Sequence, residues 1–127
     1  MAGEQILVVE DNEKNMKLFQ DVLRATGYRT LEASTGEQAL MLAARHGPAL
    51  VLMDIRLPDM TGVEALGRLR SNERTARIPV LALTAQAMKG DRERFIEAGF
   101  DGYLSKPVDI DELLTTVEQH SRGRVGD

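Results

Sequence analysis

A chain of 127 residues is about one domain long, enough to enclose a hydrophobic core. It has no cysteine, which removes disulfide frameworks and cysteine metal sites, and no apolar run long enough for a signal peptide or membrane span, so a cytoplasmic location is expected. Its formal charge of −4, with Lys and Arg scattered among the acids, offers no basic stripe for nucleic acid, and direct binding to DNA or RNA is not expected.

In chain order, short strand-like runs alternate with helix-like periodicity. The first strand is read over Gln5–Val9, where "ILVVEDNEKN" carries four apolar residues straight into Glu10 and Asp11. A helix follows with a stripe of Leu18, Phe19, Val22 and Leu23. The second strand, Arg29–Ala33, alternates polar and apolar residues, as an edge strand does. Ser34 with Glu37 has the spacing of a capping box for the second helix. The third strand, Leu50–Met53, lies in "LVLMDIRLPD" and leaves Asp54 at its end. Thr61 with Glu64 caps a third helix striped by Val63, Leu66 and Leu69. The fourth strand, Val80–Leu83, closes on Thr84 and Ala85.

The next segment, "AMKGDRERFIEAG", is interrupted by Gly90 and has only Phe95, Ile96 and Ala98 as late apolar anchors, so its helix is expected to be the most loosely held. The fifth strand, Gly102–Ser105, runs into Lys106 and Pro107. Asp109 with Glu112 opens the last helix, striped by Ile110, Leu113, Leu114 and Val117. His46 and His120 read as exposed helix residues, neither in a phosphotransfer-histidine setting. With no linker or repeat, a single domain over 1–127, with its core at about 5–120 and no effector domain, is the expected organisation.

This alternation predicts an α/β fold: a doubly wound, five-stranded parallel sheet of order 2-1-3-4-5. The first, third and fourth strands are nearly all apolar, as strands covered on both faces should be. In such a sheet ligands bind beyond the carboxyl ends of the strands where the order reverses, so Glu10, Asp11 and Asp54 should converge. Two like charges about 4 Å apart repel by roughly 4 kcal/mol at an effective dielectric near 20, so an ionised cluster implies a bound cation. Hard oxygen donors in a shallow, wet pocket favour Mg²⁺ over a caged Ca²⁺ or zinc. Thr84 and Lys106, at the ends of the fourth and fifth strands, supply the hydroxyl and ammonium that a transferred phosphoryl group needs, and Asp54 is the natural nucleophile.

Each of these residues has an ordinary reading alone. Glu10 and Asp11 could be helix-start acids, Asp54 a turn acid, Thr84 a strand terminus, Lys106 a surface lysine before a proline turn and Tyr103 an edge-strand packing residue. Their joint placement at matching strand ends points to one site.

Glu10-Asp11, Asp54, Thr84-Ala85, Tyr103 and Lys106-Pro107, in this order, resemble the receiver domains of two-component response regulators, and the resemblance covers about residues 5 to 120. The surrounding "VVEDNEKNMKLF" and "LTAQAMKGDRERF" are most similar to stand-alone receivers of the DivK type, while receivers within hybrid histidine kinases share the "AMKGDRE" segment. The resemblance implies that Asp54 accepts phosphoryl from a histidine kinase or histidine phosphotransfer protein. It implies that Asp11, Asp54 and the backbone carbonyl of Arg56 ligate Mg²⁺, with Glu10 assisting through water, and that Lys106 pairs with the phosphoryl oxygens. Thr84 and Tyr103 would be the switch pair, and the face of helix four, strand five and helix five would meet a downstream regulatory protein. It further implies a cis Lys106–Pro107 bond. Arg56 and Gln86 occupy positions where receivers vary, so the lifetime of the phosphorylated state stays open.

No enzymatic activity is expected beyond the chain's own phosphorylation and slow dephosphorylation. A phosphorylation-controlled binding module and a phosphoryl shuttle use the same residues and both remain open. A haloacid dehalogenase-type phosphatase would want Asp-x-Asp, which Asp54-Ile55-Arg56 lacks, and an FMN site would want donors where this first loop is acidic.

Overall fold

The computed structural model describes residues 3–85 and 90–122, without the side chains of Arg92 and Arg122. Ten elements alternate: β1 (Gln5–Val9), α1 (Glu13–Ala25), β2 (Arg29–Ala33), α2 (Gly36–His46), β3 (Leu50–Asp54), α3 (Gly62–Arg70), β4 (Val80–Thr84), α4 (Asp91–Ala98), β5 (Gly102–Ser105) and α5 (Ile110–Arg122). The strands form one parallel sheet of order β2-β1-β3-β4-β5, as the alternation predicts, with β2 at an edge.

Strand periodicity divides the core. Leu7, Val9, Val51, Met53, Val80 and Ala82 face one side, where α2 and α3 lay down Ala39, Ala43, Ala65, Leu66 and Leu69, and α4 contributes Phe95. Ile6, Val8, Leu50, Leu52, Leu81 and Leu83 face the other, against Met16, Phe19 and Leu23 of α1 and Leu113 and Val117 of α5. With both faces covered, β1, β3 and β4 carry no solvent side, which explains their apolar runs.

Several expectations shift by a residue or a face. β3 and β4 each run one residue further than predicted, to Asp54 and Thr84, because Asp54 pairs with Leu83 and Thr84 with Ser105. The N-cap of α2 is Thr35 rather than Ser34: the Thr35 hydroxyl accepts from Gln38 N at 3.1 Å, while Ser34 N donates to Gln38 Oε1 at 2.9 Å. Thr61 and Asp109 cap as expected, accepting from Glu64 N and Glu112 N at 3.0 and 3.1 Å. Leu18, Val63 and Ile110 are exposed, since α1 and α3 turn Met16 and Ala65 inward instead and Ile110 stands at the open start of α5. His120 is half-buried rather than exposed, with Nδ1 2.8 Å from Thr116 O and Nε2 3.1 Å from Asp101 O. His46 is exposed.

α4 is the shortest helix of the described residues and lies between Gly90 and Gly99, both with positive φ (93° and 111°). Its inward residues are Phe95 and Asp91, whereas Ile96 and Ala98 are exposed. Gln86 and Lys89 lie outside the described residues.

Candidate functional site

At the carboxyl edge of the sheet an open cleft of about 570 Å³ is lined by Glu10, Asp11, Asp54, Arg56, Thr84 and Lys106. Glu10 follows β1 directly and is buried, its backbone N–H donating to Ala33 O at 3.0 Å and its Oε2 accepting from Asn12 N at 3.2 Å. Asp11, one residue on, is exposed. Asp54 is the last residue of β3 and is buried. Single carboxylate oxygens of Glu10, Asp11 and Asp54 lie within 4.8 Å of one another.

Lys106 reaches this cluster because β5 pairs with β4 up to Ser105 and Lys106 N then donates to Thr84 O at 2.7 Å. The bond that follows, Lys106–Pro107, is cis. The ammonium sits 2.7 Å from Glu10 Oε1 and 2.7 Å from Asp54 Oδ2. Burial acts to lower the Lys106 pKa, but the two carboxylates outweigh it and hold the group above its ordinary value. Burial pushes the Glu10 carboxyl upward; Lys106 opposes this and the neighbouring Asp54 adds to it. Three carboxylates against one ammonium leave about two unbalanced negative charges if all are ionised. An all-oxygen set of this charge, open to solvent on the Asp11 side, fits a small divalent cation that keeps part of its water shell.

The loop after β3 is stiffly built. Arg56 forms an antiparallel bridge with Thr61, closed by Gly62 N donating to Ile55 O (2.7 Å) and Leu57 N to Met60 O (3.2 Å). Because the flanking residues make those bonds, the N–H and C=O of Arg56 itself turn to the other side of the bridge. There its N–H donates to Asp54 Oδ1 at 2.9 Å. The side chain of Arg56 is exposed at the cleft rim.

The structure thus gathers Glu10, Asp11, Asp54, Arg56, Thr84 and Lys106 in one cleft and leaves Tyr103 outside it. Tyr103 is half-buried on β5, its ring 5.9 Å from that of Phe95, and borders a separate groove with Ile96, Ser105, Glu112 and His120. Among the other lining residues that carry no sequence signal as site residues are Asp91, buried at the start of α4 and 3.0 Å from Arg94, and Phe95. In the sequence both belong to a weak amphipathic helix.

Residues 6–118 match the model of the response regulator receiver domain family. The chain belongs to this family of two-component signalling domains. It is 44% identical over 117 residues to the polar-differentiation response regulator DivK of Brucella ovis, a match covering 92% of this chain and 95% of that protein, and equally to DivK of Brucella suis. Among solved structures it resembles the receiver domain of a sensor histidine kinase from Pseudomonas aeruginosa PAO1 (TM-score 0.86, 40% identity, 94% of this chain and 98% of that one), in which a magnesium ion is coordinated in the active-site cleft. It also resembles the chemotaxis protein CheY4 of Vibrio cholerae (TM-score 0.86, 26% identity, 94% of this chain and 99% of that one).

Proposed function

We propose that this chain is a cytoplasmic, DivK-like receiver that takes a phosphoryl group onto Asp54 and signals through phosphorylation-dependent protein contacts. The observation that carries the reading is the double engagement of Asp54, whose Oδ2 meets the Lys106 ammonium and whose Oδ1 meets the Arg56 N–H, beside two further carboxylates. Asp11, Asp54 and the Arg56 carbonyl would hold Mg²⁺ directly and Glu10 through water. When bound, the ion screens the carboxylates from the incoming phosphoryl oxygens. A carboxylate oxygen of Asp54 forms the bond to phosphorus as the phosphorus–nitrogen bond of a donor phosphohistidine breaks, its electron pair returning to the imidazole. Lys106 then neutralises phosphoryl oxygens, and the Thr84 hydroxyl donates to one of them. The chain acts chemically only on its own phosphorylation and slow dephosphorylation.

The phosphoryl donor is a histidine kinase or histidine phosphotransfer protein. The face of α4, β5 and α5 presents the outcome to a downstream regulatory protein, with Thr84 and Tyr103 as the switch. A phosphoryl shuttle, or a receiver acting within a hybrid histidine kinase, is the second reading, favoured by the 40% identity to a sensor kinase's receiver. The test is labelling with a small phosphodonor. Wild type should be phosphorylated only with Mg²⁺ present and Asp54→Asn not at all; label surviving in that variant, or appearing without divalent metal, refutes the assignment. Affinity capture with the beryllofluoride-activated chain separates the two readings, a phosphotransfer protein indicating the shuttle and a kinase or regulator the effector.

A further inference from the structure

Asp59 stands five residues beyond Asp54, in the loop between β3 and α3, and is exposed, yet both its oxygens are occupied. Oδ1 accepts from Gly36 N at 2.8 Å and Oδ2 from Glu37 N at 3.0 Å, the first two amides of α2. A negative charge there also meets the positive end of the helix dipole. These two hydrogen bonds hold the Asp59 carboxyl below its ordinary pKa. A second tie lies beside them. Met60 is buried against the Gly36 backbone so closely that a Cβ on Gly36 would fall 2.5 Å from Met60 Cγ. The loop from Ile55 to Gly62 is therefore closed on one side by its own bridge and pinned on the other to the start of a helix from a different crossover.

That loop carries the Arg56 backbone, whose N–H donates to Asp54 and whose carbonyl leaves the bridge on that same side. α2 itself contributes nothing to the cleft. We propose that Asp59 is a positioning residue for the metal: by clamping the β3–α3 loop to α2 it holds the Arg56 carbonyl and the Asp54 carboxylate where a divalent cation needs them. The inference rests on the receiver reading of the site. Groups that orient metal ligands without touching the metal commonly change affinity by ~10–100-fold when removed.

The test is calorimetric titration of the full chain with MgCl₂, comparing wild type, Asp59→Ala, Asp59→Asn and Thr35→Ala, each confirmed folded by circular dichroism. Thr35→Ala removes the helix's own cap and loosens the same end of α2 without touching the loop. Asp59→Ala should weaken Mg²⁺ binding ~10-fold or more. Asp59→Asn, which keeps one acceptor oxygen, should weaken it less, and Thr35→Ala should leave it unchanged. Hydrogen exchange should show the amides of Gly36 and Glu37 and those of Arg56, Leu57 and Gly62 losing protection together in Asp59→Ala. If Asp59→Ala does not fold, the contrast between Asp59→Asn and Thr35→Ala decides. Equal affinity in wild type and the Asp59 variants overturns the clamp alone, as does equal weakening in Thr35→Ala, which would make the effect one of helix stability. Wild type taking up no Mg²⁺ overturns the receiver reading of the site and the clamp with it.

Discussion

Neutralising Asp11 should make the metal-free protein more stable while weakening its hold on Mg²⁺. The cluster oxygens lie within 4.8 Å of one another, a separation at which two unit charges repel by ~3.5 kcal/mol at an effective dielectric of 20 and by ~0.9 kcal/mol in water. Asp11 faces two such carboxylates, and the Lys106 ammonium that lies against both cancels about one of them. One uncompensated repulsion remains. Because Asp11 is exposed, the water-like value is the better guide, so Asp11→Asn should gain ~1 kcal/mol without metal, or a rise of ~3–4 °C in melting temperature for a chain of this size. With saturating Mg²⁺ the order should reverse, since wild type gains binding energy that the variant has largely lost. Thermal melts in EDTA and in excess MgCl₂, together with a Mg²⁺ titration, make the comparison. A variant that melts much lower in EDTA while binding Mg²⁺ as tightly as wild type would show Asp11 to be a structural acid and refute the reasoning.

Gly62→Ala should destabilise the chain by ~1–3 kcal/mol and slow phosphorylation, because the added Cβ would fall 2.5 Å from the backbone oxygen of Asp54 and 2.9 Å from Ile55 Cα; an unchanged urea midpoint argues against so tight a contact. The depressed Asp59 carboxyl stabilises the fold above its unfolded pKa, near 3.8, and that contribution is lost as pH falls through the lower folded value. Metal-free wild type should therefore be more stable than Asp59→Asn at neutral pH and converge with it in strong acid, and a gap independent of pH would contradict the linkage. Hydrogen exchange on the beryllofluoride-activated chain should change mainly within residues 84–106; changes confined to α1 and α2 would place the output face elsewhere.

The course of the sheet was readable because burial on both faces writes itself directly into composition: β1, β3 and β4 are apolar without alternation, and only the interior strands of a parallel sheet require that. The site followed, since charged residues ending such strands have little structural reason to be there. Helix faces were less legible. Leu18, Val63 and Ile110 lie at helical spacing from true core residues, yet the sheet covers only a narrow arc of each helix and these positions fall beyond it. Asp59 was invisible for a different reason. Its partners are backbone amides 22 and 23 residues away, which leave no side-chain signature, and the same holds for the N–H of Arg56 on Asp54. His120 is hard to place from sequence because its ring contacts are likewise backbone groups, the carbonyls of Thr116 and, across the fold, Asp101.

The helix bordering the cleft is held differently from its neighbours. α1 is anchored by Met16, Phe19 and Leu23, whereas α4 turns one large apolar residue inward, Phe95, between two glycines that carry the left-handed backbone. That ring lines the cleft, meets Phe100 edge-on with centroids 6.0 Å apart, and lies 5.9 Å from Tyr103. Under the proposed function, a phosphoryl group drawing Thr84 inward would alter the wall against which Phe95 rests. The next ring in contact is Tyr103, which opens onto the groove shared by Ile96, Glu112 and His120. A chemical event among carboxylates would then reach a surface bordered by α4, β5 and α5 through one aromatic pair. The helix carrying half of that pair buries a single large apolar residue among its described residues, so a local charge needs to supply only a small difference in free energy to shift it.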